Sequence, residues 1–152
     1  MSDNHSEALQ LQQIEDYRCE VRFGGQIPVL SCDEPPPLGH SAGPSPVQLL
    51  LAAVANCLTD SLLFALRKFK QNAEPIHCTA EATVGRNDEN RLRVLAIHLE
   101  MHLGTPAATI EHLERILNQF EGFCTVTRSV AQGIPVHLTV KDSTGTVVKS
   151  PS

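Results

Sequence analysis

Tryptophan is absent from this 152-residue chain, and aromatic residues make up only 4% of it. A core with so few large rings must be aliphatic, drawn from leucine, valine, isoleucine and alanine. At 41% hydrophobic residues the chain carries enough of these for one domain. No basic run occurs, and the net charge of −5 with a pI near 5.7 leaves no electrostatic footprint for nucleic acid. There is no CxxC and no closely spaced ligand pair, so a structural zinc site is excluded. Five cysteines are present (Cys19, Cys32, Cys57, Cys78 and Cys124), an odd count that disfavours a secreted disulfide scaffold. Met1-Ser2-Asp3-Asn4-His5 lacks the basic start and apolar stretch of a secretion signal. A cytoplasmic protein is expected, in which any disulfide is transient and catalytic rather than structural. No internal repeat is evident.

Residues 1–16 read as a polar tail, 17–142 as a single domain and 143–152 as a frayed end. Tyr17 to Phe23 and Ile27 to Ser31 read as strands around a Gly24-Gly25 turn. Pro35-Pro36-Pro37 forbids a helix and marks a loop. Ser45-Pro46 then opens a long helix, serine as N-cap and proline at the first helical position. Leu49, Leu50, Ala53, Val54, Cys57, Ser61, Phe64 and Ala65 recur at helical spacing, and Arg67, Lys68 and Lys70 suit its C-terminal end. Such a helix is roughly 35–40 Å long. Its apolar stretch is interrupted by Gln48, Asn56, Thr59, Asp60 and Ser61, and an aspartate near mid-span is costly in lipid. A helix buried in the core of a dimer is expected instead, with no membrane partner.

His77 to Gly85 and Leu92 to Leu103 alternate as a hairpin with one apolar face. Thr105-Pro106 caps a second helix carrying Ile110, Leu113, Leu117 and Phe120, ended by Gly122. Cys124 to Ala131 reads as a short third helix, and Val136 to Val140 as a last strand. Strands in hairpins, rather than in βαβ units, give an α+β class with antiparallel pairing.

Cys57 and Cys124 are the candidate chemical groups, since a thiolate is a nucleophile. Cys57 lies three turns into its helix, where the macrodipole has faded, whereas Cys124 sits near a helix start. On position alone Cys124 is expected to be the more acidic. The alternative is that both thiols are buried fillers. His98 and His102 are about 13 Å apart on a strand, too far to share an ion, and read as surface residues. His40 is a candidate for the site, because it precedes the long helix. Cys78 reads as core, and Cys19, Cys32 and Cys78 receive no functional role.

Ser45-Pro46-Val47-Gln48-Leu49-Leu50-Leu51-Ala52-Ala53-Val54-Ala55-Asn56-Cys57-Leu58-Thr59 resembles the central helix of the osmotically inducible protein C/organic hydroperoxide resistance (OsmC/Ohr) family. Phe123-Cys124-Thr125-Val126-Thr127-Arg128-Ser129-Val130, with Gly133-Ile134-Pro135-Val136, resembles its second cysteine segment. The resemblance covers nearly all of Tyr17 to Asp142. It implies an OsmC-like fold, an intertwined homodimer with antiparallel sheets wrapped around long central helices and active sites at the interface. It further implies a thiol-dependent peroxidase with Cys57 peroxidatic and Cys124 resolving, a hydroperoxide substrate, an external dithiol reductant and no metal or organic cofactor. The family's activating arginine comes from the N-terminal strands, where Arg22 and Arg18 are the candidates and Arg22 is favoured. One departure stands out. Peroxidase members carry a glutamate where this chain has Val47, and Asp60 is the candidate substitute. Leu50, Val54 and Phe64 are expected to wall the pocket. The other reading is a redox sensor or small-ligand binder on the same fold.

Overall fold

The computed structural model describes residues 3–151. The chain forms two compact units, Met1–Leu49 and Leu50–Ser152. The first holds an antiparallel sheet of β1 (Gln10–Glu15), β2 (Arg18–Arg22) and β3 (Leu30–Cys32), in that order. β1 falls within the segment read as a polar tail. All six of its residues are exposed, so it carries no alternating apolar signature. It is a strand because its backbone pairs with β2, Gln10 opposite Arg22 and Gln13 opposite Cys19. Gly24 and Gly25 both take positive φ, +89° and +58°, which only glycine adopts without strain; the strand expected from Ile27 is delayed to Leu30.

The proline-rich loop after β3 is organised by one carboxylate. Buried Asp33 accepts backbone N–H bonds from Glu34 (2.8 Å), His40 (3.0 Å) and Ala42 (3.1 Å). Those donors hold its carboxyl below the usual carboxylate range. A Cβ at Gly39 would collide with the Glu34 carbonyl and the Asp33 carboxylate, so the loop can close only around glycine. The loop ends in a capping box. Ser45 Oγ accepts from the Gln48 amide (3.2 Å), and Gln48 Oε1 accepts from the Ser45 amide (3.0 Å), so two orphan donors are satisfied where α1 (Pro46–Lys68) begins.

In the second unit Val54, Leu58, Leu62, Ala65 and Leu66 of α1 are all essentially inaccessible and pack with the inner face of a sheet. Each of the valine and leucine side chains contributes on the order of 1.5–3 kcal/mol. α1 is long and apolar enough to cross a membrane by length and composition, but this stripe lies in a protein core. The sheet runs β4 (His77–Arg86), β5 (Leu92–His102), β6 (Val136–Lys141), β7 (Val147–Lys149). Ile97, Leu99 and Met101 of β5, with Leu138 and Val140 of β6, face inward.

Several features differ from the sequence reading, among them β7, which lies within residues 143–152 expected to be a frayed end. β6 pairs parallel to β5, Ile97 opposite Val136, so the sheet is mixed; the 33-residue crossover between them, which carries both short helices, brings the chain back in the same direction. The β4–β5 register shifts at Thr83/Val84, where Leu95 is left unpaired between Val94 and Ala96; the bulge turns Leu95 outward and puts Val94, the partner of Val84, against the core in its place. The second helix also starts late. A 3-10 turn (Ala107–Thr109) precedes α2 (Leu113–Gln119), because His112 adopts a left-handed conformation (φ +59°) between them. Gly122 does not end that helix; it lies inside a further 3-10 turn, Phe120–Phe123, which leads to α3 (Thr125–Val130).

Asp142 ties the end of β6 to this crossover. It accepts from the amides of Ala107 (2.8 Å), Thr144 (2.9 Å) and Thr146 (3.0 Å) and from the Thr144 hydroxyl (2.7 Å). The Ala107 amide first, then Thr144, lowers its pKa from 3.8 to about 2. A depressed carboxylate stabilises the fold above its unfolded value and loses that contribution as pH falls through about 2. Asp142→Asn is therefore expected to lower the melting temperature at neutral pH and to flatten the acid limb of the stability profile between pH 3.8 and about 2. Thermal melts of both proteins across that range check it. An acid limb identical in the variant would mean that Asp142 is not the titrating group.

Candidate functional site

The site is built where the first turn of α3 lies along α1. Cys57, Ser61, Phe64 and Lys68 follow one another at helical spacing on α1, at the edge of its buried stripe. Cys124, the N-cap of α3, is 1% exposed, and its Sγ donates to Cys57 Sγ at 2.6 Å across 67 residues of sequence. The next contacts run parallel to it. The Val126 amide donates to Cys57 Sγ at 3.4 Å, and Thr127 Oγ1 donates to the Val54 carbonyl at 3.4 Å. The half-buried Cys57 thus accepts two donors, the role a thiolate fills best.

Cys124 does not follow the acidity expected from its position. Burial pushes its thiol up, the contact with Cys57 pushes it further, and hydrogen bonds from Thr127 and Ser61 only partly offset this. Desolvation outweighs the helix start because the sulfur has lost its water.

A cleft of about 430 Å³ opens over Cys57, lined by Asp60, Ser61, Phe64, Phe123 and Thr125. Phe64 and Phe123 meet edge to face (5.4 Å, 77°), and the Lys68 ammonium stands 5.6 Å from the Phe123 ring centre. Both rings are largely uncovered, 58% and 43%. Of the walls expected from the sequence only Phe64 lines this cleft. Val54 lies beneath it with no exposure, and Leu50 packs on the core. Phe123 takes their place, while the Val126 amide reaches Cys57 Sγ and Lys68 stands against the Phe123 ring. Sequence reasoning passed over these residues, although Phe123 stands directly before Cys124.

Asp60 lines the cleft beside Cys57, exposed and without an ion pair among the described residues. Arg22 lies in the first unit, where its guanidinium bonds the Glu20 carboxylate (3.0 Å); Arg18 also lies on β2. His40 is exposed and gives its backbone amide, not its ring, to Asp33. A larger hollow of about 680 Å³ in the first unit, lined by Asp33, Ser41, Val47 and Gln48 among others, offers a carboxylate already committed to three amides and no nucleophile.

On the outer face of the sheet His98 stacks on His137 (4.9 Å), and His102 bonds Glu100 (2.6 Å). Among the described residues no three ligands converge as a metal centre. Cys78 is half-buried against the core, and burial raises its thiol pKa.

No curated protein matches the chain. Solved structures do. An OsmC-like protein of unknown function from Vibrio cholerae superposes with a TM-score of 0.76 at 17% identity, over 90% of this chain and 99% of that one. An organic hydroperoxide resistance protein from Elizabethkingia anophelis, with thiocyanate bound, gives 0.74 at 17%, over 94% and 100%. The organic hydroperoxide resistance protein OhrB of Bacillus subtilis gives 0.68 at 13%, over 90% and 98%. At these identities the likeness shows the α+β fold. Residues 39–139, which hold both cysteines of the site, match the family model of the OsmC-like proteins, and the chain belongs to that family.

Proposed function

We propose that this protein is a thiol-dependent peroxidase of organic hydroperoxides, acting in defence against oxidative stress. The 2.6 Å approach of Cys57 and Cys124 carries the reading. The Cys57 thiolate attacks the distal oxygen of ROOH and the O–O bond breaks. The alkoxide takes a proton and leaves as ROH, and Cys57 becomes a sulfenic acid. The Cys124 thiol then attacks that sulfur, water leaves, and a Cys57–Cys124 disulfide forms. An external dithiol reduces it by exchange and is itself oxidised to a disulfide. The cycle uses no metal or organic cofactor. A reducing compartment, the cytoplasm, suits a chain whose five thiols are free.

The protein works as a homodimer in this reading. α1 turns Ala52, Ala53 and Phe64 outward, and only a third of its most apolar window is buried within the chain. A second copy covers that face, closes the cleft and supplies the environment that completes the site. Arg22 or Arg18 is the candidate activating cation, and Asp60 the carboxylate that stands in for the family glutamate whose place Val47 takes. A second reading has a specific support. With Val47 uncharged and Arg22 paired to Glu20, activation of Cys57 lacks its family partner, which suits a redox sensor or a small-ligand binder.

Consumption of cumene hydroperoxide and of hydrogen peroxide, with dithiothreitol as reductant, separates the readings. The two phenyl rings at the cleft favour the aryl hydroperoxide, with kcat/KM expected at least about tenfold higher than for hydrogen peroxide, the worth of one well-placed apolar contact. Phe123→Ser is expected to narrow that ratio by raising KM for the aryl substrate. No consumption of either peroxide would leave the sensor reading.

A further inference from the structure

The site above uses two of the five thiols, and a third, Cys78, is half-buried against the core. The remaining two are not scattered. Cys19 on β2 and Cys32 on β3 stand directly opposite each other in the antiparallel ladder, between the pairs Val21–Leu30 and Glu20–Ser31 on one side and the strand ends on the other. Directly opposed residues of an antiparallel pair project to the same face. Their Cα atoms lie about 4.5 or 5.5 Å apart, according to which kind of ladder position they hold. Either value falls inside the roughly 4.4–6.8 Å that a disulfide spans. The two thiols also sense each other electrostatically, Cys19 raising the pKa of Cys32 after burial has done so.

The two differ in access. Cys32 is buried at 7%, whereas Cys19 is partly open to solvent, its Sγ–H resting 3.8 Å from the Tyr17 carbonyl. That is the asymmetry of a pair in which one sulfur meets the oxidant and the other resolves it. We propose that Cys19 and Cys32 are a second oxidation site, a cross-strand dithiol that hydroperoxide converts to a disulfide. In the first step Cys19 sulfur takes the distal oxygen of ROOH and ROH leaves. In the second the Cys32 thiol displaces that oxygen as water, and the S–S bond forms. One peroxide is reduced and two thiols are oxidised, and a dithiol such as dithiothreitol reverses the change by exchange. The bond would tie β2 to the root of the Asp33 loop, because Cys32 directly precedes the carboxylate that gathers the loop's amides. The odd cysteine count then resolves into two couples and one core thiol.

The inference is independent of the Cys57 reading, and one experiment tells the two apart. The full chain is treated with excess cumene hydroperoxide, its free thiols are titrated, and tryptic peptides are mapped without reduction. The five free thiols are expected to fall to one, Cys78. A fall to three with only a Cys57–Cys124 link would overturn the second site and leave the peroxidase reading intact. A fall to three with only a Cys19–Cys32 link would do the reverse. Cys32 and Cys57 share the tryptic fragment Phe23–Arg67, so Cys57→Ser removes the ambiguity. In that variant the peptide Cys19–Arg22 should be found bonded to Phe23–Arg67 within one chain and released by dithiothreitol, and Cys19→Ser should abolish the link. Cys19 bonded only to another molecule, or left as a free thiol, refutes the proposal.

Discussion

Replacing Cys57 with serine in a Cys19→Ser background, where the β2–β3 thiol pair is also disabled, is expected to abolish hydroperoxide consumption, a fall on the order of a thousandfold or more, because a serine hydroxyl is not ionised near neutral pH and is a poor nucleophile toward oxygen. Cys124→Ser is expected to behave differently. Cys57 keeps the Val126 amide as donor, and the serine hydroxyl can replace the Cys124 S–H, so the first attack survives. One equivalent of peroxide per site is then consumed rapidly, and the sulfenic acid persists, because the resolving thiol is gone. Rapid-mixing measurement of the burst, followed by trapping with a 1,3-diketone, distinguishes the two variants. Equal steady-state activity in wild type and both variants would remove the Cys57–Cys124 chemistry altogether. The assignment of roles also agrees with the electrostatics. Cys124 is buried and held in its protonated form, and Cys57 faces the cleft and receives the hydrogen bonds.

Much of this architecture is legible from local chemistry. Ser45-Pro46 and the spacing of Leu50, Val54, Ser61 and Ala65 announce α1, and its observed end at Lys68 falls among the cations that mark it. The alternation of His77 to Gly85 and Leu92 to Leu103 announces the β4–β5 hairpin. What stays hidden has physical causes. β1 is held by backbone pairing with all its side chains in solvent, so no pattern of residue types betrays it. The parallel placement of β6 is a property of the crossover, not of the strand. Asp33 and Asp142 look like ordinary loop aspartates, and only the converging amides reveal them as clamps. The approach of Cys124 to Cys57 spans 67 residues, and no local rule connects them; the family resemblance does. The Val126 donor is a backbone group and has no signature in a side chain at all.

Phe120→Ala is expected to be among the most damaging single core substitutions for stability and, through it, for disulfide formation. Phe120 is the largest fully buried side chain, in the 3-10 turn that joins α2 to the Cys124 segment. Removing it deletes the ring's transfer energy and leaves a cavity in an aliphatic core that cannot collapse freely, together costing about 3–5 kcal/mol. For a chain of this size the melting temperature should drop by roughly 10 °C. Phe123→Ala, three residues on, removes the same atoms from a ring that is 43% exposed and should cost less than about 1 kcal/mol. The functional consequence separates the two chemical steps. Phe120 anchors the turn that delivers Cys124, whereas Cys57 is fixed by α1. A loosened turn should slow the closure of the disulfide more than the formation of the sulfenic acid, which loses only the support of the Cys124 and Val126 donors. Urea unfolding measures the first effect, and stopped-flow comparison of peroxide loss with thiol loss measures the second. If Phe120→Ala proves no more destabilising than Phe123→Ala, Phe120 is not the anchor of the turn, and the short reach between the sulfurs needs another cause.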